Sequence, residues 1–345
     1  MRISAIGEFA LIERIRSILP SPHGALLGIG DDCAVLRPTA GKDLLLTTDL
    51  LVDGVDFTPQ TITPFRLGRK AMGVNLSDIA AMGGLPRVAL VTLAIPPDEE
   101  IEFVDELYRG LREEGARFAV EVIGGDLSAS PTLMISVTLV GEVEAGRAIT
   151  RSGAKPGERI WITGRLGGAA AGLMALSAGC RLRDDQIETP FEVSGSLQEA
   201  IRRAIERHLC PTPRIREGRA LSQAGAASAM IDMSDGLASD LAHLCRESGV
   251  SAKIREGQIP VDQAASAVAQ HFGQEPLTMA LQGGEDFELL FTSSWDPADI
   301  AAMFPDAVTA TAIGKVGEAG QGCRLERQDG SVVALTGGYD HFRQQ

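Results

Sequence analysis

Between Gly141 and Gly157 the chain nearly runs out of large apolar residues. Glycines, a proline and charges of both signs fill the stretch. A continuous hydrophobic core is hard to carry through such a segment. The full length, 345 residues, is also more than one core of ordinary size organises. Two domains are therefore expected, residues 1–148 and 149–345.

Each half mixes helical and strand periodicities. In the first, apolar residues at Phe9, Leu11, Ile12, Ile15 and Ile18 predict a helix from Glu8 to Leu19, stopped by Pro20. A short buried strand is expected at 43–48, a helix at 65–82 ended by Gly83 and Gly84, and a strand at 87–95 closed by Pro96 and Pro97. A helix at 98–115 with Asp98 as its N-cap and strands at 120–123 and 133–140 complete that half. The second half reads as strands at 159–163, 229–231, 287–292 and 308–315. Helices are expected at 168–177, 196–208, 215–224 and 237–247. The class is thus α/β or α+β.

Composition narrows the function. Aromatics are only 4% of residues and glycines number 39, so the core is aliphatic and close backbone approaches are frequent. The formal net charge is −14, which disfavours nucleic acid and anionic membranes as partners and leaves divalent cations attractive. The five cysteines, Cys33, Cys180, Cys210, Cys245 and Cys323, form no C-x-x-C pair and suggest neither a disulfide framework nor a zinc site. Cys33 is expected to be a small buried residue. No apolar run approaches the ~20 residues that span a bilayer, and the first residues carry charges foreign to a signal peptide. A cytoplasmic location is expected.

No G-x-x-x-x-G-K-[ST] loop, no G-x-G-x-x-G after a strand and no protein-kinase signature occurs. What stands out instead are aspartates beside Gly, Ser or Thr, read as lying at the ends of apolar elements: Gly28-Ile29-Gly30-Asp31-Asp32, Thr47-Thr48-Asp49, Asn75-Leu76-Ser77-Asp78, Gly124-Gly125-Asp126 and Asp232-Met233-Ser234-Asp235-Gly236. Taken singly, each turn reads as a cap. Asp78 is harder to explain so, because Asn75, Ser77 and Asp78 share an otherwise apolar helix and buried polar groups need partners. If the element ends converge, the carboxylates would raise one another's pKa values. They would then suit Mg²⁺, which shares its shell with substrate phosphates.

These motifs, in this order, resemble the thiamine-monophosphate kinase family of the AIR-synthase-like ATP-binding superfamily. The resemblance spans nearly the whole chain. It extends to Gly7-Glu8-Phe9, Thr150-Arg151-Ser152-Gly153-Ala154-Lys155-Pro156-Gly157, Pro211-Thr212-Pro213-Arg214, Gly283-Gly284-Glu285-Asp286-Phe287-Glu288 and Gly337-Gly338-Tyr339-Asp340-His341-Phe342. It implies an N-terminal α+β domain with a dimerising sheet, a C-terminal α/β domain and a homodimer. It also implies Mg²⁺-dependent transfer of the ATP γ-phosphate to thiamine monophosphate, with ATP between the domains.

Carried over by motif, Asp32, Thr47, Thr48, Asp49, Asp78, Asp126, Asp232 and Asp235 correspond to the metal shell, and Asp49, Asp78, Asp126, Asp232 and Asp235 to its catalytic core. Gly125, Arg151 and Ser234 correspond to ATP contacts, and Glu285 and Tyr339 to thiamine contacts. Asp31, next to the shell, ranks lower. Asp56 stands where the family pattern carries a substrate-contacting His, and is the residue that sets this chain apart. Another ATP-dependent enzyme of the superfamily, or a non-catalytic Mg–nucleotide sensor, are the alternative functions.

Overall fold

The computed structural model describes residues 1–19, 23–29, 32–183, 185–304 and 308–339. The chain divides into two compact units. One comprises residues 1–79 and 84–146, the other residues 80–83 and 147–345.

The N-terminal unit runs α1 (Gly7–Ile18), β1 (Lys42–Val52), α2 (Pro64–Ala81), β2 (Leu85–Ile95), α3 (Ile101–Arg117), β3 (Glu121–Ala129) and β4 (Met134–Glu144). Its sheet has the order β1-β4-β2-β3, with only the β2–β3 pair parallel. One face is covered. Leu45, Leu51, Val91, Leu93, Ile135, Val137 and Leu139 are buried there. Helices α2 and α3 cross at Gly68 and Gly110, where a Cβ on either would collide with a backbone carbonyl of the other helix, at Leu107 and Phe65. The other face exposes Leu44, Leu46, Leu50 and Leu90.

Helix α3 departs from expectation at its start. It begins after Glu100, not after Asp98, and no side chain caps it. Residues 97–101 are held instead by the N-terminal segment: Ile3 and Ser4 donate N–H to Glu99 and Pro97 carbonyls, and Ile101 donates to Met1. That backbone pairing delays the helix by two residues.

The C-terminal unit runs β5 (Arg159–Thr163), α4 (Gly168–Ser177), β6 (Arg181–Arg183), β7 (Gln186–Glu188), α5 (Gly195–Leu209), α6 (Ile215–Ala224), β8 (Ala229–Asp232), α7 (Leu237–Ser248), β9 (Ser251–Arg255), α8 (Gln263–His271), α9 (Pro276–Gln282), β10 (Leu289–Ser293), α10 (Pro297–Ala302), β11 (Ala310–Gly317), β12 (Cys323–Glu326) and β13 (Val332–Ala334). Seven strands form one sheet in the order β13-β12-β9-β11-β5-β10-β8. Ile160 and Ile162 enter a core with Ile231, Leu241, Ile254, Leu290 and Ile313. Trp161 between them turns to the opposite face and stacks on Phe291, ring centroids 6.2 Å apart.

Candidate active site

Strand β1 continues to Val52, so Asp49 sits inside it and not at its end. Period-two alternation puts Thr47 and Asp49 on the covered face. There they meet the polar stretch of α2. The Asn75 side chain accepts the Asp49 N–H at 3.0 Å and donates to Ala71 O at 2.9 Å, which ties strand to helix. The Thr47 hydroxyl donates to the Asp78 carboxylate. Burial, and then the nearby carboxylates of Asp78 and Asp56, push Asp49 up to about 7.

Asp56 is therefore not apart from the aspartate set. Its Oδ2 accepts the Val52 N–H at 2.8 Å, which shapes the turn after β1, and its charge bears on Asp49.

The other expected residues of this unit lie elsewhere. Thr48 faces the uncovered side, where its hydroxyl lies 3.2 Å from Ser136 Oγ and 3.1 Å from Thr138 Oγ1. Strand β3 likewise runs past its GGD motif, so Asp126 is within the strand. It shares a cross-strand row with Thr92, Ser136 and Leu50, whereas Asp49 shares one with Val137, Val91 and Gly125. Asp49 and Asp126 thus occupy opposite faces of the sheet. Gly125 is needed for packing, because a Cβ would collide with Val91 O. Asp32 is exposed, in the segment before β1, where Leu27 and Val35 form an isolated bridge. Cys33 is exposed too, contrary to expectation: it follows Asp32 in a segment with no regular structure to bury it. Gly30 and Asp31 lie outside the described residues.

In the C-terminal unit, β8 ends on buried Asp232, and Ser234-Asp235-Gly236 leads into α7. Asp240, in the first turn of that helix, was not among the expected residues. Its Oδ2 accepts the Asp235 N–H at 3.3 Å. Burial, followed by Asp232 and Asp235, pushes it up to about 8. A lone carboxylate inside Leu237–Leu244 was its only signal in the sequence.

The Gly283–Glu288 segment lies alongside this loop. Glu285 N–H donates to Ser234 O at 2.8 Å, Phe287 N–H to Met233 O at 2.9 Å, and Met233 N–H to Glu288 O at 2.8 Å. Glu285 and Phe287 hold positive φ of 66° and 49°, a strained backbone that persists where surroundings over-determine it. Glu285 Oε2 stands 3.0 Å from Nδ1 of buried His208.

Asp286 caps α4, accepting the Gly167 and Ala169 N–H groups at 2.6 and 3.1 Å, and burial raises it to about 6. Glu288 is fully buried and receives Thr163 Oγ1 at 2.8 Å and Arg214 Nε at 2.6 Å. Tyr339 N–H donates to Asp235 O at 3.0 Å, which brings the 337–339 tail to the start of α7. Asp340, His341 and Phe342 lie outside the described residues. Arg151 is exposed, with its carbonyl accepting from Ser248 Oγ at 3.0 Å.

Two groups of carboxylates therefore exist, Asp49 with Asp78 and Asp56, and Asp240 with Asp232 and Asp235. In each, a proton is held above the usual carboxylate range by burial and like charge. No three His, Cys, Asp or Glu side chains among the described residues stand close enough to hold a metal alone. That donor set fits Mg²⁺, which takes one or two carboxylates and completes its shell with water and phosphate.

Family models match both units: AIR synthase related protein, N-terminal domain, over residues 30–143, and AIR synthase related protein, C-terminal domain, over residues 155–324. The thiamine-monophosphate kinase of Aquifex aeolicus is 38% identical, covering 99% of this chain and 100% of that protein. The chain belongs to the thiamine-monophosphate kinase family. Solved structures agree. The Stenotrophomonas maltophilia thiamine-monophosphate kinase superposes with a TM-score of 0.78 at 34% identity, covering 95% of this chain and 98% of that one. AaThiL complexed with AMPPCP and TMP superposes with a TM-score of 0.74 at 37% identity, covering 99% of each chain. The family's two-domain fold, mixing helices and sheets in both halves, is the one described above.

Proposed function

We propose that the protein transfers the γ-phosphate of ATP to thiamine monophosphate, giving thiamine diphosphate and ADP. The observation that carries this reading is full-length similarity to thiamine-monophosphate kinases, one of them complexed with AMPPCP and TMP. The two groups of mutually repelling, buried carboxylates add to it. Phosphoryl transfer asks mainly for positioning and charge neutralisation. The acceptor is a phosphate oxygen, largely anionic at neutral pH, so attack in line on the γ-phosphorus needs no strong base.

Within the N-terminal unit Asp49 and Asp78, with Thr47 and Asp32 as further donors, and within the C-terminal unit Asp232 and Asp235, are each assigned to Mg²⁺; Thr48 and Asp126, on the other face of the sheet, are assigned to metal apart from Asp49. The ion, when bound, neutralises phosphate charge. Gly125, Arg151 and Ser234 are assigned to ATP, and Glu285, Tyr339 and Asp56 to the thiamine substrate. Asn75 and the Thr47 hydroxyl fix Asp49 and Asp78 in place. His208 orients Glu285.

The uncovered sheet face supports a homodimer. Leu46 and Leu50 are 69% and 53% exposed beside Leu44 and Leu90, an apolar surface suited to a second copy of itself. No helix of the described residues is long and apolar enough to cross a membrane. A cytoplasmic location is in keeping with that and with cysteines that form no disulfide among the described residues.

An ADP-release assay with a panel of phosphate and hydroxyl acceptors tests the activity. Turnover is expected with thiamine monophosphate and Mg²⁺. Turnover with another acceptor, and none above background with thiamine monophosphate, would overturn the substrate assignment.

A further inference from the structure

In a protein with a net charge of −14, positive charge is concentrated at one place on the C-terminal sheet. The strand register sets Arg159 of β5 opposite Lys315 of β11, Lys315 opposite Lys253 of β9, and Lys253 opposite Arg324 of β12. Residues paired across strands project to one face. Like charges directly opposite one another destabilise a sheet, so this row works against folding unless something else requires it.

The row borders a cavity. Its volume is about 240 Å³, and Arg159, Lys253, Arg255, Gln258, Ala312, Gly314 and Lys315 line it. The depression has a local cause. Strand β11 changes register between Ala312 and Gly314, and such a bulge bends the strand and re-aims its side chains. The two flanking residues are small, so the floor stays open. At Gly314 any Cβ would collide with Lys253 O.

Compensation by acids is incomplete. Glu326 is shared between Lys253 at 3.4 Å and Arg255 at 3.3 Å. Arg159 Nη1 donates to a backbone oxygen, Trp295 O, at 3.4 Å, and among the described residues no carboxylate pairs with it. Among the described residues no carboxylate pairs with Lys315. Among the described residues, Glu326 is the one carboxylate paired with any of the four cations of the lining. The cavity lies below the ~300 Å³ at which drug-sized ligands begin to fit, so its occupant is small. Guanidinium forks and ammonium groups together suit phosphate oxygens.

We infer that this cavity between β5, β9 and β11 is a second anion site, which takes a compact diphosphate-class anion. None of its lining residues belongs to the aspartate site.

The probe is inorganic pyrophosphate, added to the full chain in EDTA. Hydrogen exchange read by mass spectrometry should show protection in the 251–258 and 310–317 segments, and calorimetry should show saturable binding. Lys315→Glu changes an exposed side chain and should weaken that binding at least tenfold, while turnover with ATP and thiamine monophosphate stays within twofold. Lys253→Gln, which keeps the strand and adds no like charge beside Glu326, should weaken it as well. ADP in place of pyrophosphate distinguishes an esterified diphosphate from the inorganic anion: the same protection with ADP assigns the ester, and protection with pyrophosphate alone the inorganic form. The inference is overturned if neither anion protects those segments, if both variants bind as the parent does, or if sulfate at equal ionic strength gives the same protection.

Discussion

Arg214 and Glu288 are partners: the guanidinium Nε donates to the carboxylate at 2.6 Å, with Glu288 fully buried. The pair joins the Pro211–Arg214 and Gly283–Glu288 motifs, which lie far apart in sequence. Arg207 reaches the same carboxylate at 3.2 Å. Removing one partner strands buried charge. Glu288→Gln is therefore expected to cost about 3 kcal/mol in a urea titration. The double variant with Arg214→Gln should cost less than the sum of the two single changes.

Stability should fall with rising pH in the absence of metal. Asp286, Asp49 and Asp240 are raised to about 6, 7 and 8, against ~3.9 for an unperturbed Asp. The folded chain then holds more protons than the unfolded one, so the contribution of these groups is complete only below ~pH 4 and is lost progressively as pH climbs to the folded values of about 6, 7 and 8. In EDTA, Tm should decline from ~pH 5 to ~pH 8 and level off above it. Asp240→Asn keeps an acceptor for Asp235 N–H and should flatten the upper part of that decline, raising stability at pH 8.5 by at least ~1 kcal/mol. Mg²⁺ should raise Tm more at pH 8 than at pH 6, because its ligands bind deprotonated.

His208 orients Glu285 at 3.0 Å. A hydrogen bond to a charged group contributes ~1.5–3 kcal/mol. If Glu285 contacts the thiamine moiety, His208→Leu should raise KM for thiamine monophosphate roughly tenfold and change kcat and the KM for ATP much less. Steady-state kinetics with each substrate varied in turn checks this. Equal loss in both KM values would point to a general defect in the fold.

Leu46 is the most exposed of the leucines on the open sheet face. Leu46→Asp should yield a monomer by light scattering, with the helix-covered side of the sheet unaffected and far-ultraviolet circular dichroism unchanged. A parent protein that is itself monomeric at micromolar concentration would refute the dimer.

The order of helices and strands was legible because most apolar runs are long and punctuated by Gly or Pro. Helices Gly168–Ser177 and Ile215–Ala224 and strand Arg159–Thr163 appear at the positions their periodicity predicts. Helix α8 was missed. Its Gln-Ala-Ala-Ser-Ala-Val-Ala stretch has little contrast between faces, and its real signal is the Asp262 cap, which accepts the Ala264 and Ala265 N–H groups. Strands β9 and β12 were missed because each is only five or four residues long, too short for the alternation of Lys253 and Arg255, or of Arg324 and Glu326, to stand out.

The aspartates were legible as a set but not in their geometry. Strand β1 carries leucine on both faces, Leu45 buried and Leu44 and Leu46 exposed, so alternation could not tell which side Asp49 takes. Asp126 and Asp49 looked alike, each following Gly or Thr after an apolar run. Only the register separates their faces. Asp240 escaped because a carboxylate in the first turn of a helix is ordinarily explained by the helix dipole.

The Trp161–Phe291 stack has a practical consequence. Both tryptophans, Trp161 and Trp295, belong to the C-terminal unit, and the N-terminal unit has one tyrosine, the buried Tyr108 of α3. Indole emission from the unlabelled chain reports the melting of one unit only. Far-ultraviolet dichroism follows the helices of both units and supplies the comparison. If the two spectroscopic transitions fail to coincide, the halves of the molecule unfold as separate cooperative blocks.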